Sequence, residues 1–255
     1  MTASDSIPTG MRLLLVLLGV GLGLNVRDIS AALGAPITAL PMPYGGSLLD
    51  NALAVLVALL LATLLRPRGV GLLASLGLRG NGMRGPLWVL LASLPCWLGL
   101  ALLGTPNTAL TTLDARMLAV LFPFAEEVLF RGLGFVLFVK IVRGPWPLLA
   151  LPQALLFGWV HWLGFGGVDG GGTALFVGAV IAFGGFIFAW LNHLDGDTLW
   201  CGLVLHVSMN LAWNVFSLDD TVALGWQATS LRIGTALLAV AALAWHVRRQ
   251  RSNPL

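Results

Sequence analysis

Glu126 and Glu127 are the only glutamates in this chain of 255 residues, and they stand side by side in the apolar run from Phe122 to Leu137. A charge held at bilayer depth costs about 2.5–3.5 kcal/mol even on insertion-derived scales, and two adjacent like charges also repel, so the pair needs a reason. Arg131 follows Glu127 at the i, i+4 spacing that brings a carboxylate and a guanidinium onto one helix face. Glu126 is turned from Glu127 by about 100° on a helix of 3.6 residues per turn. One carboxylate is then neutralised by Arg131 while its neighbour faces elsewhere, which makes Glu126 a candidate general base. The same trio also suits a purely structural ionic staple.

His161 closes the run Phe157 to His161 in a second apolar segment, and His206 with Asn210 one turn later lies in a third. A single histidine on an apolar helix is usually a packing residue, but three segments carrying polar groups at middle depth form a pattern. Hydrolysis of a peptide bond away from bulk water needs a base for the water, a proton for the leaving amine and donors for the oxyanion. Glu126 and His161 suit the water, and His206 with Asn210, on one side of a helix, suits the oxyanion. His193, in the polar stretch Asn192 to Asp197, and His246, at a basic helix end, read as interfacial.

The segments that position these groups read as transmembrane. Hydrophobic residues make up 58% of the chain and charged residues 10%, with a mean hydropathy of +0.91, against about a quarter charged in soluble domains. Eight apolar stretches of roughly the length that crosses a bilayer fall at about 11–33, 48–65, 86–104, 115–139, 146–164, 174–192, 198–216 and 229–247. The expectation is an all-α polytopic membrane bundle, one unit over residues 1–255. The net charge of +3 does not gather into a nucleic-acid surface. It follows topology: Arg12, Arg66, Arg68, Arg79, Arg84, Lys140, Arg143, Arg248, Arg249 and Arg251 fall on one side of an eight-span chain, and Arg27, Arg116 and Arg232 on the other. The positive-inside rule then puts both termini in the cytoplasm. Cys96 and Cys201 lie inside apolar stretches and read as packing residues, and the glycines of Gly164 to Gly172 read as a flexible connection.

With those residues in view, the chain resembles the CAAX prenyl protease and bacteriocin-processing family, also called type II CAAX endopeptidases or Abi proteins. The resemblance rests on Glu126-Glu127-Val128-Leu129-Phe130-Arg131-Gly132, on Phe157 and His161 separated by three residues, and on His206 and Asn210 separated by three. Each motif alone is weak, whereas all three in order on separate spans are specific, and the resemblance implies a catalytic core over about 115–212. The resemblance implies an eight-helix intramembrane glutamate protease with Glu126, His161, His206 and Asn210 at the cavity and Glu127 and Arg131 in support. It implies water activated without an obligatory metal. A zinc site held by Glu126, His161 and His206 with an open position is the alternative, although no His-Glu-x-x-His helix is present. The expected partners are the bilayer and a membrane-associated protein or peptide, prenylated or not, and the expected setting is a bacterial inner membrane. The competing readings are an ion- or proton-coupled transporter, because mid-membrane ionisable groups also mark ion paths, and an inert immunity or scaffold relative. A serine protease is disfavoured because Ser208 lacks a Gly-x-Ser-Gly setting.

Overall fold

The computed structural model describes residues 7–252, so both ends of the expected 1–255 unit lie outside the described residues. The expected all-α class holds. The elements are α1 (Thr9–Ala32), α2 (Gly45–Leu65), the short α3 (Leu72–Ser75), α4 (Arg84–Ala92) continuing into α5 (Leu94–Leu103), α6 (112–142), α7 (Trp146–Gly164), α8 (Gly171–Leu194), α9 (Trp200–Val215), the short α10 (Asp220–Ala223) and α11 (Trp226–Ser252). One feature was not expected: Thr105–Pro106 (β1) pairs antiparallel with Phe216–Ser217 (β2), tying the end of α5 to the end of α9.

Among the described residues, five stretches are long and apolar enough to cross a membrane: Thr9–Ala32, Gly45–Leu65, Arg84–Leu103, Gly171–Leu194 and Asp220–Ser252. Their outer faces carry large exposed apolar side chains such as Leu60, Leu98, Leu102 and Leu175, a surface that lipid covers and water would not. These make the chain an integral membrane protein. The expected count of eight is not reached on this measure, and the three stretches that fall short are the ones carrying the polar residues. α9 has only 16 residues, α7 is diluted by Pro147, Pro152, Gln153 and His161, and α6 alternates between α- and π-helical turns.

α6 forms the centre. All side chains from Glu127 to Leu137 are buried, and around them α1, α2, α7 and α9 pack directly against this helix. Its largest core cluster joins Val128, Leu129, Leu133 and Val136 to Val16 and Val20 of α1 and to Ala54, Ala58 and Ala62 of α2. A second cluster joins Val89 of α4 to Ile187 and Leu191 of α8, Leu205 of α9 and Ala239 and Leu243 of α11. Small residues permit a close crossing where α7 meets α8: a Cβ on Gly158 would stand 2.5 Å from the Gly178 carbonyl oxygen. Gln153 reinforces this contact, its amide donating to the Gly185 carbonyl across the helix pair at 3.2 Å.

Candidate active site

The carboxylate pair sits where α6 is least regular. Pro123 has no N–H to give the carbonyl one turn back, and its ring crowds that turn. The helix widens to π geometry over Met117–Leu121, returns to α over Phe122–Glu126, and widens again over Glu127–Leu137. Such π turns recur at functional sites because they re-aim side chains within an otherwise regular helix.

Glu127 and Arg131 are fully buried, with Arg131 Nη1 3.3 Å from Glu127 Oε1, as the i, i+4 spacing leads one to expect. The contact is ionic without hydrogen-bond alignment, since Nε, Nη1 and Nη2 of Arg131 all lack an acceptor. Aromatic faces surround the cation instead: its central carbon lies 4.1 Å from the Phe157 ring centroid, 4.9 Å from Phe188 and 5.9 Å from Phe130. Cation–π attraction strengthens when the cation is desolvated, which is the situation here. Gly185 leaves room for this arrangement, because a Cβ there would stand 3.3 Å from Arg131 Nη2.

Glu126 faces away from Arg131, as its rotation on the helix requires. Its side chain keeps 31% of its exposure, and Oε2 lies 3.6 Å from Nε2 of His206. The other nitrogen of the same imidazole, Nδ1, donates to Glu127 Oε1 at 3.0 Å. His206 of α9 therefore bridges both carboxylates of α6, and Phe188 of α8 stacks on its ring at 4.9 Å and 18°. This bridge was not foreseen, since Glu127 was expected to support Arg131 alone.

Asn210 lies one turn beyond His206, and its Nδ2 donates to the Leu118 carbonyl at 3.4 Å, within the first π turn of α6. Such a bond is long and leaves the amide within reach of another acceptor. His161 of α7 is joined to the group through Phe157. Its Nδ1 donates to the Phe157 carbonyl at 2.9 Å, and its ring meets the Phe157 ring edge-on at 4.6 Å. The Phe157 ring in turn lies 6.3 Å from that of His206. Nδ1 of His161 being occupied, Nε2 is the nitrogen left for a water or substrate. The direct contacts thus gather Glu126, Glu127, Arg131 and His206, with His161 and Asn210 at the edges.

Among the described residues, no three His, Cys, Asp or Glu side chains gather as a metal-ligand cluster.

Sequence reasoning missed several supporting residues. Phe130 and Phe188, which flank the arginine, carry no polar signal that distinguishes them from other core aromatics. Asn192, read as part of a polar turn, is buried within α8, and its Oδ1 accepts from the Gly202 N–H at 2.8 Å, fixing the start of α9. An asparagine in an otherwise apolar helix was the available signal. His193 behaves as expected of an interfacial residue, its Nδ1 2.9 Å from Asp197 Oδ1, and it stacks on Trp146. Cys96 and Cys201 are free and buried.

Residues 108–212, somewhat less than half of the chain, match a family model described as type II CAAX prenyl endopeptidase Rce1-like. The matched segment contains every residue placed at the site above. No curated protein matches the chain, and no solved structure does.

Proposed function

We propose, because residues 108–212 match the Rce1-like type II CAAX prenyl endopeptidase family, that this chain is a membrane protease of that family and hydrolyses a peptide bond of a membrane-associated protein or peptide with water activated by Glu126. The observation that carries the reading is the double bridge of His206, Nδ1 to Glu127 at 3.0 Å and Nε2 facing Glu126 at 3.6 Å. Structural ion pairs have no need of an imidazole held between two carboxylates, one sealed and one open to an incoming molecule.

In this mechanism Glu126 takes a proton from a water held between it and His161, and the water oxygen attacks the carbonyl carbon. The oxyanion that forms is met by Nε2–H of His206 and by the Asn210 amide. The C–N bond then breaks as Glu126 returns the proton to the leaving nitrogen. Glu127 accepts the Nδ1 proton of His206, which orients Nε2 toward the reacting carbonyl. With Nδ1 of His206 already donating to Glu127, Nε2 is the ring nitrogen that this mechanism turns to the oxyanion. No metal takes part. With eight spans, the distribution of basic loops supports both termini in the cytoplasm, and the reading takes substrates that reach the site from within the bilayer, prenylated or not.

The test is to compare wild type and Glu126→Gln in membranes holding candidate substrates, looking for shortened chains. Glu126→Gln abolishes processing while melting like wild type, because its side chain is partly exposed and donates or accepts no short hydrogen bond. Wild-type processing by that variant would remove Glu126 from the role of base.

A further inference from the structure

Burial changes in one direction along the two helices that carry the site. On α6 every side chain from Glu127 to Leu137 is buried, and neighbouring segments plug that end of the bundle. A Cβ on Gly132 would stand 3.0 Å from the Leu76 carbonyl oxygen, and the Leu199 N–H donates to the Gly77 carbonyl at 2.9 Å. Asn192, Thr198 and Leu199, around the start of α9, are buried as well. Toward the start of α6 exposure returns. The Glu126 side chain keeps 31% of its exposure where that of Glu127 keeps none. Asn210 is half-buried and level with Leu118, outward of Glu126. Asn214, also half-buried, follows one turn later, and the Asn107 amide donates to its carbonyl at 3.0 Å beside the β1–β2 pair.

His206, Asn210 and Asn214 share one face of α9, with about 6 Å of rise from each to the next. The two asparagines donate to the carbonyls of Leu118 and Asn210. Polar groups left exposed within a span are costly against hydrocarbon and are found where they line water, so this run marks the way in from the aqueous boundary. The two ends of the bundle also differ in charge. Arg79 donates to the Gly196 carbonyl at 2.7 Å, Trp146 stacks on His193, and Trp88 meets Trp245. These contacts bring the connection from α2 to α4, the turn after α6 and the tail of α11 to the closed end, where they place four, two and three basic residues in that order. The open end has Arg27, Arg116 and Arg232 alone. The positive-inside rule makes the closed end cytoplasmic.

We infer that water and substrate reach Glu126 and His206 from the extracytoplasmic side, along the face of α9 that carries Asn210 and Asn214. The substrates are then membrane-anchored chains whose scissile bond lies on that side, rather than cytoplasmic chain ends. The substrate class rests on the protease reading of the site, whereas the direction of the opening does not.

The test reads access and cleavage separately. Access is read on the full-length protein in spheroplasts and in inverted membrane vesicles, with a charged thiol reagent that does not cross membranes. Wild type is the blank, because Cys96 and Cys201 are buried and buried thiols are inert. Ser217→Cys, at an exposed residue of β2, reports the side that the open end faces, and Arg143→Cys, at an exposed residue after α6, reports the closed end. Asn214→Cys and Asn210→Cys report the path between. Ser217→Cys, Asn214→Cys and Asn210→Cys lose their free thiol to reagent added to spheroplasts, and Arg143→Cys loses it only in inverted vesicles. Labelling of Ser217→Cys only in inverted vesicles overturns the orientation and the substrate class with it. Labelling of Ser217→Cys from outside, with both asparagine variants folded and unreactive, overturns the opening. Cleavage is read by comparing the chain ends of membrane proteins from cells holding wild type or Glu126→Gln. New ends that depend on Glu126 fall outside the cytoplasm, and new ends within cytoplasmic segments overturn the substrate class. Labelling from outside without any new chain ends upholds the opening and removes the protease reading.

Discussion

Replacing Arg131 by methionine removes the charge from the buried pair while keeping much of the side chain's volume. Both partners are completely enclosed, so the discount for solvent screening that makes surface pairs worth little does not apply. Breaking a buried pair by deleting one partner costs about 3–5 kcal/mol, because the other charge is stranded. Glu127 keeps one donor, Nδ1 of His206 at 3.0 Å, which places the expected loss near the lower end, about 3 kcal/mol. In a chain of this size about 1 kcal/mol moves the melting temperature by roughly 2–4 °C, so Arg131→Met melts about 6–12 °C below wild type. The assay is thermal unfolding in detergent followed by the intrinsic fluorescence of the ten tryptophans. The second arm is Glu127→Gln with Arg131→Met, which removes both charges and leaves an amide oxygen for His206. That double variant is more stable than the sum of the single losses predicts, by about 2 kcal/mol or more, as coupled neighbours are. An unchanged melting curve for Arg131→Met, or strict additivity in the double variant, refutes the buried-pair reasoning.

Three further outcomes follow from other parts of the molecule. Gly158→Ala puts a methyl 2.5 Å from the Gly178 carbonyl oxygen and 2.6 Å from Ala182 Cβ, so α7 and α8 must separate. It costs about 1–3 kcal/mol and lowers cleavage through Phe157 and His161, whereas Gly184→Ala, with nothing within 4 Å of its added carbon, is silent; equal melting temperatures for the two variants would count against the close crossing. At the loop after α8, burial pushes the Asp195 carboxyl up despite donors from Thr198, Cys201 and Asn81 and the nearby charge of Arg79. A raised folded-state pKa contributes stability at pH below the unfolded value and loses it as pH rises through the folded one. Melting temperatures of wild type should therefore fall relative to Asp195→Asn on going upward from the ordinary aspartate range, and parallel curves would contradict the assignment. Chelators leave cleavage intact, and activity that disappears with chelator and returns on adding zinc overturns metal-free water activation.

Much of the site could be read before any helix was placed. The Glu126–Glu127 pair, Arg131 one turn on, and His206 followed by Asn210 are relations within single helices, and the 3.6-residue period carries them directly into space. The assignment of Glu127 rather than Glu126 to Arg131 came from that period, and the 3.3 Å contact agrees with it. The orientation of His206 was not legible, because its Nδ1 bond to Glu127 spans two helices 79 residues apart in sequence. Neither was the turning of His161 toward the carbonyl of Phe157, which depends on a side-chain rotamer and on the neighbours that permit it. Pro123 signalled a disturbance in α6, but the π turns it accompanies depend on how α9 and α2 pack against that helix. The β1–β2 pair joins two loops whose few residues carry no periodic signal.

Apolar composition and the lengths of the apolar runs dictate a helical membrane protein, since a backbone in hydrocarbon must satisfy its own hydrogen bonds. The spacing of charged residues within one run dictates which carboxylate meets Arg131. The rotation of each helix about its axis decides the rest: whether an imidazole from α9 reaches both glutamates and which rings enclose the guanidinium. Those rotations are set by side chains packing across helices, where each contact depends on residues far away in the chain.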